Sequence, residues 1–459
     1  MKKFIIILSV IILLVPLFFL FCTVVLPPVY EDTFLGELRY KVERLKETEG
    51  NRIVVIGGSG AAFGIDSRLM ENELNGYKIV NFGLYAGLGT GSMLSLAEPL
   101  LHSGDVVILM PEQNRQTLSD YFNPEMFLEG SDGAFDLTFS LRPKDFRAMI
   151  GKLPSFSLKK LGYIISGIPE SDEVYRRASF NDYCDIIASV RESNILPAYY
   201  DPSMPVSLSP ETVSDDYIEM VNEYAGKFES RGITFFYRIC PLNRLSVTDG
   251  SIESFYDFIA DKLDFPVLGD PAESIMDEEW FFDTNFHLNY SGAVLNSRNL
   301  VRALKAVFGD TSKTSIEIPA PPVLPVHPVF DGDNSMEDCF VYSDYSDGYA
   351  ISGVIDAVHR KLIVPSSHNG KPVYIIENIS CSAEEIVIQE NITAIYDNSF
   401  SGCHELERII ILNESPSRIQ TGKSLLSGTD AYIYVPKNSI DEYKLNYFWS
   451  QYASRIRGE

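Results

Sequence analysis

The chain has 459 residues, with 38 Lys and Arg against 63 Asp and Glu, a formal charge of -25. That length gives two or three domains, and a hydrophobic share of 45% is enough to fill their cores. The acidic balance, with no basic cluster to offset it, excludes nucleic acid as a partner, because a phosphate backbone is repelled.

The amino end reads MKK followed by about 23 uncharged residues, Phe4 to Leu26, enough to cross a hydrocarbon core of roughly 30 Å. Lys2 and Lys3 set the N-terminus inside. Residues 1–28 are therefore expected to be a cytoplasmic tip and a single-pass transmembrane helix, placing the protein at the cell membrane with its bulk extracytoplasmic. The alternative is a cleaved signal peptide, but the apolar run exceeds an h-region and no small-x-small site precedes Pro27 and Pro28. Residues 29–50, charged and helical in pattern, read as a stalk. Cys22, Cys184, Cys240, Cys339, Cys381 and Cys403 are widely scattered with no CxxC pair. They read as isolated core residues, and neither a disulfide framework nor a cysteine metal site is expected.

Arg52 to Ser67, RIVVIGGSGAAFGIDS, is the stretch around which the next domain is organised. Ile53 to Ile56 are four β-branched residues in a row, suited to a strand buried on both faces of a parallel sheet. Gly57, Gly58 and Gly60 then allow a sharp turn and close approach to the main chain. Ser59 is thereby held at the carboxyl end of a strand, where open α/β sheets place their ligands. Strands follow at Lys78–Phe82, Asp105–Met110, Gly232–Cys240 and Phe265–Gly269, with helices at Ser67–Asn75, Ser92–Leu101, Pro210–Arg231 and Ile252–Leu263. Strand alternating with helix predicts a doubly wound parallel sheet for 51–312. An aromatic, turn-rich insertion at about 119–210, with helical patterns at Pro143–Ile150 and Tyr175–Arg191, is positioned to cover a site and select its substrate.

A serine needs a base. Trp280 to Val294, WFFDTNFHLNYSGAV, supplies Asp283 and His287 just before a helix that begins near Ser291. Ser59, Asp283 and His287 form a candidate acyl-transfer triad, with Asp277 as a fallback acid. A nucleotide-binding reading of Gly58-Ser59-Gly60 fails because Phe63 stands where the third glycine belongs. An α/β-hydrolase elbow normally follows several core strands, which this one does not.

The strand leading into a Gly-Ser turn at the domain start, and the Asp and His close together before its last helix, resemble the SGNH/GDSL hydrolases. GGSG followed by GIDS, and FFDTNFHLN followed by SG, are most similar to the membrane-anchored branch related to the D-alanyl-lipoteichoic acid biosynthesis protein. The resemblance covers roughly Arg52 to Phe308 and implies a flavodoxin-like sandwich. It also implies an oxyanion hole built from the backbone N–H groups of Ser59 and Gly83. Where the family carries a Gly-x-Asn-Asp turn, this chain has Pro111-Glu112-Gln113-Asn114. That puts Asn114 one turn late and Glu112 in register, and an ionised Glu112 opposes an oxyanion. The implied partner is a cell-envelope polysaccharide or teichoic-acid-like polymer; no cofactor and no metal are implied.

Residues 313–335 include five prolines between Ile316 and Phe330 and read as an extended linker containing a solvated His327. In 336–459, Leu362–Val364, Ile386–Ile388, Ile409–Ile411 and Tyr432–Tyr434 recur about every 23 residues, with Phe400 and Leu425 at equivalent core positions. VPSSHNGKPV, SFSGCHELERIIIL and YIYVPKNSIDEYKLNYFWSQYASRI resemble leucine-rich repeats of the bacterial surface-antigen type with their C-terminal cap. A short solenoid of this kind implies a protein or glycan ligand. The expected activity is that of an SGNH-like esterase or O-acyl transferase. The alternative is a non-catalytic surface binding protein with a degenerate hydrolase domain.

Overall fold

The computed structural model describes residues 14–167, 174–196, 199–201, 204–323, 332–345, 348–355, 359–422, 424–446 and 448–459. They form a mixed α/β chain with several parallel sheets. It divides into two compact units, one of Met1–Asn194 with Val206–Val323 and one of Ile195–Pro205 with Leu324–Glu459.

The first unit opens with helices α1 (residues 14–24) and α2 (Glu37–Glu47). Then come β1 (Asn51–Gly57), α3 (Ser59–Ala62), α4 (Ser67–Glu73), β2 (Tyr77–Asn81), α5 (Thr90–Ala97) and β3 (Val106–Met110). After α6 (Pro124–Gly130) and α7 (Pro143–Ser166) follow α8 (Asp215–Ser230), β4 (Thr234–Tyr237), α9 (Ile252–Lys262) and α10 (Tyr290–Val307). The sheet is parallel throughout in the order β2-β1-β3-β4. Ile53 to Ile56 of β1 are completely buried, which is why a β-branched run free of polar residues fits the centre. Helices α2, α5 and α8 pack side by side along the sheet, while α4 and α10 pair with each other. At the amino edge, the buried Arg52 grips Asp105 and donates to the Leu45 and Leu100 carbonyls, pinning β1 to the start of β3.

Several expectations are corrected. No helix among the described residues is long and apolar enough to cross a membrane, so the expected transmembrane helix is not supported. Its described part, α1, is held by protein polar groups: Ser157 Oγ on α7 donates to the Phe19 carbonyl, and the Lys160 ammonium donates to those of Thr23 and Leu26. Residues 1–13 lie outside the described residues. The expected stalk is part of the core, because Leu38 and Leu45 of α2 are fully buried and Lys41 donates to the Asn81 and Cys184 carbonyls. The expected fifth strand is reduced to one bridge, Val267 to Tyr237. Tyr175–Arg191 is not one helix; it holds two single-turn 3-10 helices, Arg177–Ser179 and Ala188–Val190, and between them Asn181 Oδ1 accepts from two backbone amides and Cys184 adopts a positive φ. Of the proline-rich linker, 324–331, His327 included, lies outside the described residues.

The second unit winds between two sheets. The chain runs through β5 (Phe340–Tyr345), β6 (Gly348–Val354), β7 (Lys361–Ile363), β8 (Lys371–Ile376), β9 (Glu385–Ile388) and β10 (Ala394–Ile395). It continues with β11 (Arg408–Ile411), β12 (Gln420–Thr421), β13 (Tyr432–Val435), α11 (Ile440–Leu445) and β14 (Ile456–Gly458). One sheet, β7-β9-β11-β13-β14, is parallel and stacks Leu362, Ile386, Ile409, Ile433 and Ile456 in register. The other is β12-β10-β8-β6-β5, parallel except for the antiparallel β5–β6 pair and a short strand, Ser367–His368, that pairs antiparallel with the start of β8. Phe400 and Leu425 are both fully buried between these sheets. Cys381 and Cys403 are not isolated, since their sulfurs lie 3.5 Å apart in this core. The open end is closed by aromatic side chains that also satisfy carbonyls. Trp449 Nε1 donates to Ile419 O at 2.9 Å, Tyr443 Oη to Asn413 O at 2.8 Å and Tyr452 Oη to Gly422 O at 2.6 Å.

Trp449 is completely buried, so Trp449→Ala should destabilise this unit by about 3–5 kcal/mol. Chemical unfolding followed by circular dichroism checks this. A loss below about 1 kcal/mol, the size of a single surface hydrogen bond, would contradict it.

Candidate active site

The site forms at the carboxyl end of β1. The chain leaves this strand through Gly57 and Gly58 and enters the one-turn helix α3, which begins with Ser59. None of Gly57, Gly58 and Gly60 takes a positive φ, so the glycines are needed for close approach rather than for unusual backbone angles. A Cβ on Gly58 would fall 2.5 Å from both carboxyl oxygens of Glu112. The turn is thereby pressed onto Glu112, the second residue after β3.

Ser59 is 8% exposed, and its hydroxyl donates to Glu112 Oε1 at 3.4 Å. The same oxygen accepts the Gly60 N–H at 2.7 Å. Glu112 is 2% exposed, and burial pushes its carboxyl above the usual range. Arg115, three residues further along the chain, is exposed.

The second part of the site is the loop before α10. It is closed by the bridge between Phe281 and Leu288 and by the Phe282 N–H donating to the His287 carbonyl at 2.8 Å. Thr284 Oγ1 accepts the Phe286 and His287 amides. Asn289 then caps α10 through Gly292 N–H and donates back to the Glu279 and Phe281 carbonyls. Within this frame His287 Nδ1 lies 2.8 Å from Asp283 Oδ1. Nδ1–H donating to the carboxylate leaves Nε2 as the acceptor that a base requires. Both side chains are buried, at 5% and 8% exposure.

Two further residues complete the loop's surroundings. Tyr175 Oη donates to Asp283 Oδ2 and lies 3.2 Å from His287 Nδ1. The imidazole stacks on the Phe63 ring, with centroids 4.2 Å apart and planes within 5°. Phe63 is one helical turn beyond Ser59 and bonds back to it, its N–H donating to the Ser59 carbonyl at 2.9 Å. Arg191, fully buried, holds the Phe63 carbonyl. So α3 and the 281–288 loop share one wall, although among the described residues Ser59 Oγ is bonded to Glu112 and not to His287. Sequence reading missed both Tyr175 and Phe63. Tyr175 lies 108 residues from Asp283, and Phe63 reads as a failed glycine in a nucleotide motif.

Other candidates fall elsewhere. Gly83 does not have a free amide for an oxyanion, because its N–H donates to Asn81 Oδ1 at 3.1 Å. Its lack of a side chain serves packing: a Cβ there would sit 2.5 Å from Ala61 Cβ and 2.7 Å from Ala62 N. Asn114 Oδ1 accepts the Thr117 N–H and hydroxyl, both at 2.9 Å, and so closes its own turn. Asp277 is on the surface with Arg244, at 2.7 Å, and is no fallback partner for His287. Beneath the site, Asn81 is itself held by Asp185, which takes Asn81 Nδ2, Ser67 N and Ser67 Oγ at 2.7 to 2.9 Å. Burial pushes the Asp185 carboxyl up and the neighbouring Lys41 amine down. Among the described residues, no group of three or more His, Cys, Asp or Glu is placed to hold a metal ion.

If Gly83 is a packing residue under α3, Gly83→Ala should cost about 1–3 kcal/mol through overpacking against backbone atoms. A thermal midpoint equal to that of the unaltered chain would contradict this role. No family model matches the chain and no curated protein matches it, so the functional reading rests on the site's own geometry.

Proposed function

We propose that this chain is a serine esterase or O-acyl transferase of the SGNH type, acting on an acylated cell-envelope polymer. The observation that carries the reading is the shared wall. Ser59 begins α3 at the carboxyl end of the central strand, and the Asp283-oriented His287 stacks on Phe63 at the other end of that same helical turn. Tyr175, a residue of the insertion, adds support by fixing the second oxygen of Asp283.

In this reading Ser59 Oγ rotates from Glu112 towards His287 and attacks the acyl carbon, while its proton passes to Nε2. The Ser59 N–H at the start of α3 faces the developing oxyanion, a role from which Gly83 is excluded by its bond to Asn81. Collapse expels the polymer hydroxyl, which takes the proton from His287. Water or a sugar hydroxyl then attacks the acyl-serine with the same base, regenerating Ser59. Asp283 stays ionised and holds the imidazole in the tautomer that exposes Nε2.

A second reading, a non-catalytic binding protein on a degenerate hydrolase scaffold, is favoured by one observation: the Ser59 hydroxyl is bonded to a carboxyl rather than to the imidazole. Turnover separates the two. With p-nitrophenyl acetate as the probe ester, Ser59→Ala should reduce hydrolysis to background and Asp283→Asn should lower kcat by about 10,000-fold. Equal hydrolysis by the unaltered chain and Ser59→Ala would leave the binding reading standing.

A further inference from the structure

We propose that Glu112 works as a neutral carboxylic acid that positions the Ser59 turn, and that loss of its proton disables the site on the alkaline side. The catalytic half of this inference rests on the esterase reading above; the protonation half does not.

The geometry assigns the proton. Glu112 Oε1 already accepts two hydrogen bonds, from the Gly60 N–H at 2.7 Å and from Ser59 Oγ at 3.4 Å. Oε2 is buried and, among the described residues, has no partner. A carboxylate in that position would carry a bare anionic oxygen away from water, whereas an acid carries its hydrogen on Oε2 and leaves Oε1 as a carbonyl-type acceptor. The titratable groups facing it are His287 from the loop before α10, Cys240 from the segment after β4, and Tyr217 from α8. Only His287 can supply a positive charge, and it is already committed to Asp283. Cys240 and Tyr217 are themselves held neutral by burial. The direction of the Glu112 shift, upward and dominated by desolvation, agrees with the geometry.

This residue explains how a glutamate sits where an asparagine amide is expected. A neutral acid presents no charge to a developing oxyanion, and its grip on the Ser59 hydroxyl is the weak bond of a carbonyl-type oxygen. Ionisation reverses both. The bond from Ser59 Oγ becomes charge-assisted, which keeps the hydroxyl from His287, and a negative charge appears beside the oxyanion. Activity therefore falls as pH rises through the Glu112 pKa. Stability follows the same sign. The folded chain keeps a proton that the unfolded chain releases near the ordinary glutamate pKa, so this contribution is fully present below that value and fades as pH rises through the folded one.

The test compares the full-length unaltered chain with Glu112→Gln and Glu112→Ala. For p-nitrophenyl acetate, kcat/KM of the unaltered chain should fall as pH rises through the Glu112 pKa, while Glu112→Gln should lack that fall and exceed Glu112→Ala by about tenfold. Thermal midpoints of the unaltered chain, relative to Glu112→Gln, should decline as pH rises from the ordinary glutamate pKa through the folded one and level off above it. An alkaline fall that persists unchanged in Glu112→Gln, or a midpoint difference that does not vary with pH, overturns the proposal. Absence of turnover in the unaltered chain overturns the esterase reading instead, and the midpoint series alone then decides the state of Glu112.

Discussion

The site depends on one contact, the Gly60 amide donating to a carboxyl buried under the turn that leaves β1. Strand β1 is paired in parallel on both sides, and its register with β3 brings Gly57 opposite Met110. That leaves so little room between the two strand ends that glycine is required at 58, where any side chain would meet the Glu112 carboxyl. The one-turn helix that follows therefore points Ser59 and Gly60 at the same acceptor. Elements farther away act by keeping this contact in place. Arg52 and Asp105 pin the amino ends of the two strands, and Asn81, gripped by Asp185 and Lys41, supports Gly83 beneath the helix.

The imidazole reaches the same place by another route. Asn289 serves as the cap of α10 and as a donor to two carbonyls of the preceding loop, so the loop and helix form one rigid hook. Phe63 then provides a flat surface on which the ring of His287 rests, and Asp283 with Tyr175 fixes its rotation. Two polar groups far apart in sequence are thus oriented by apolar stacking and local caps. A parallel sheet achieves this readily, because each of its strands ends at the same edge.

What was legible in the sequence was whatever a local pattern encodes. The β-branched run of β1, the alternation of strand and helix after it, and the coils whose isoleucines stack in the second unit are all local patterns. The proximity of Asp283 to His287 was legible because only four positions separate them. Illegible features depend on distant partners. Nothing in the sequence shows that the Gly83 amide is taken by Asn81, that Asn114 Oδ1 accepts from Thr117, or that Tyr175, within a segment of helical pattern, approaches Asp283. Composition misled where a charged segment was read as a stalk. Lys41 of α2 is buried because two backbone carbonyls, not a carboxylate, receive its ammonium. The apolar amino-terminal run carries the length, hydropathy and flanking lysines of a membrane span, whereas its described part is held by Ser157 and Lys160.

The proposed chemistry needs Ser59 and His287 to act as one nucleophilic site despite the resting bond to Glu112. Treating the full-length chain with a fluorophosphonate and identifying the modified residue by peptide mass mapping tests it most directly. A single adduct on Ser59, lost when His287 is replaced by glutamine, is expected. No adduct, or an adduct on another residue, would contradict it.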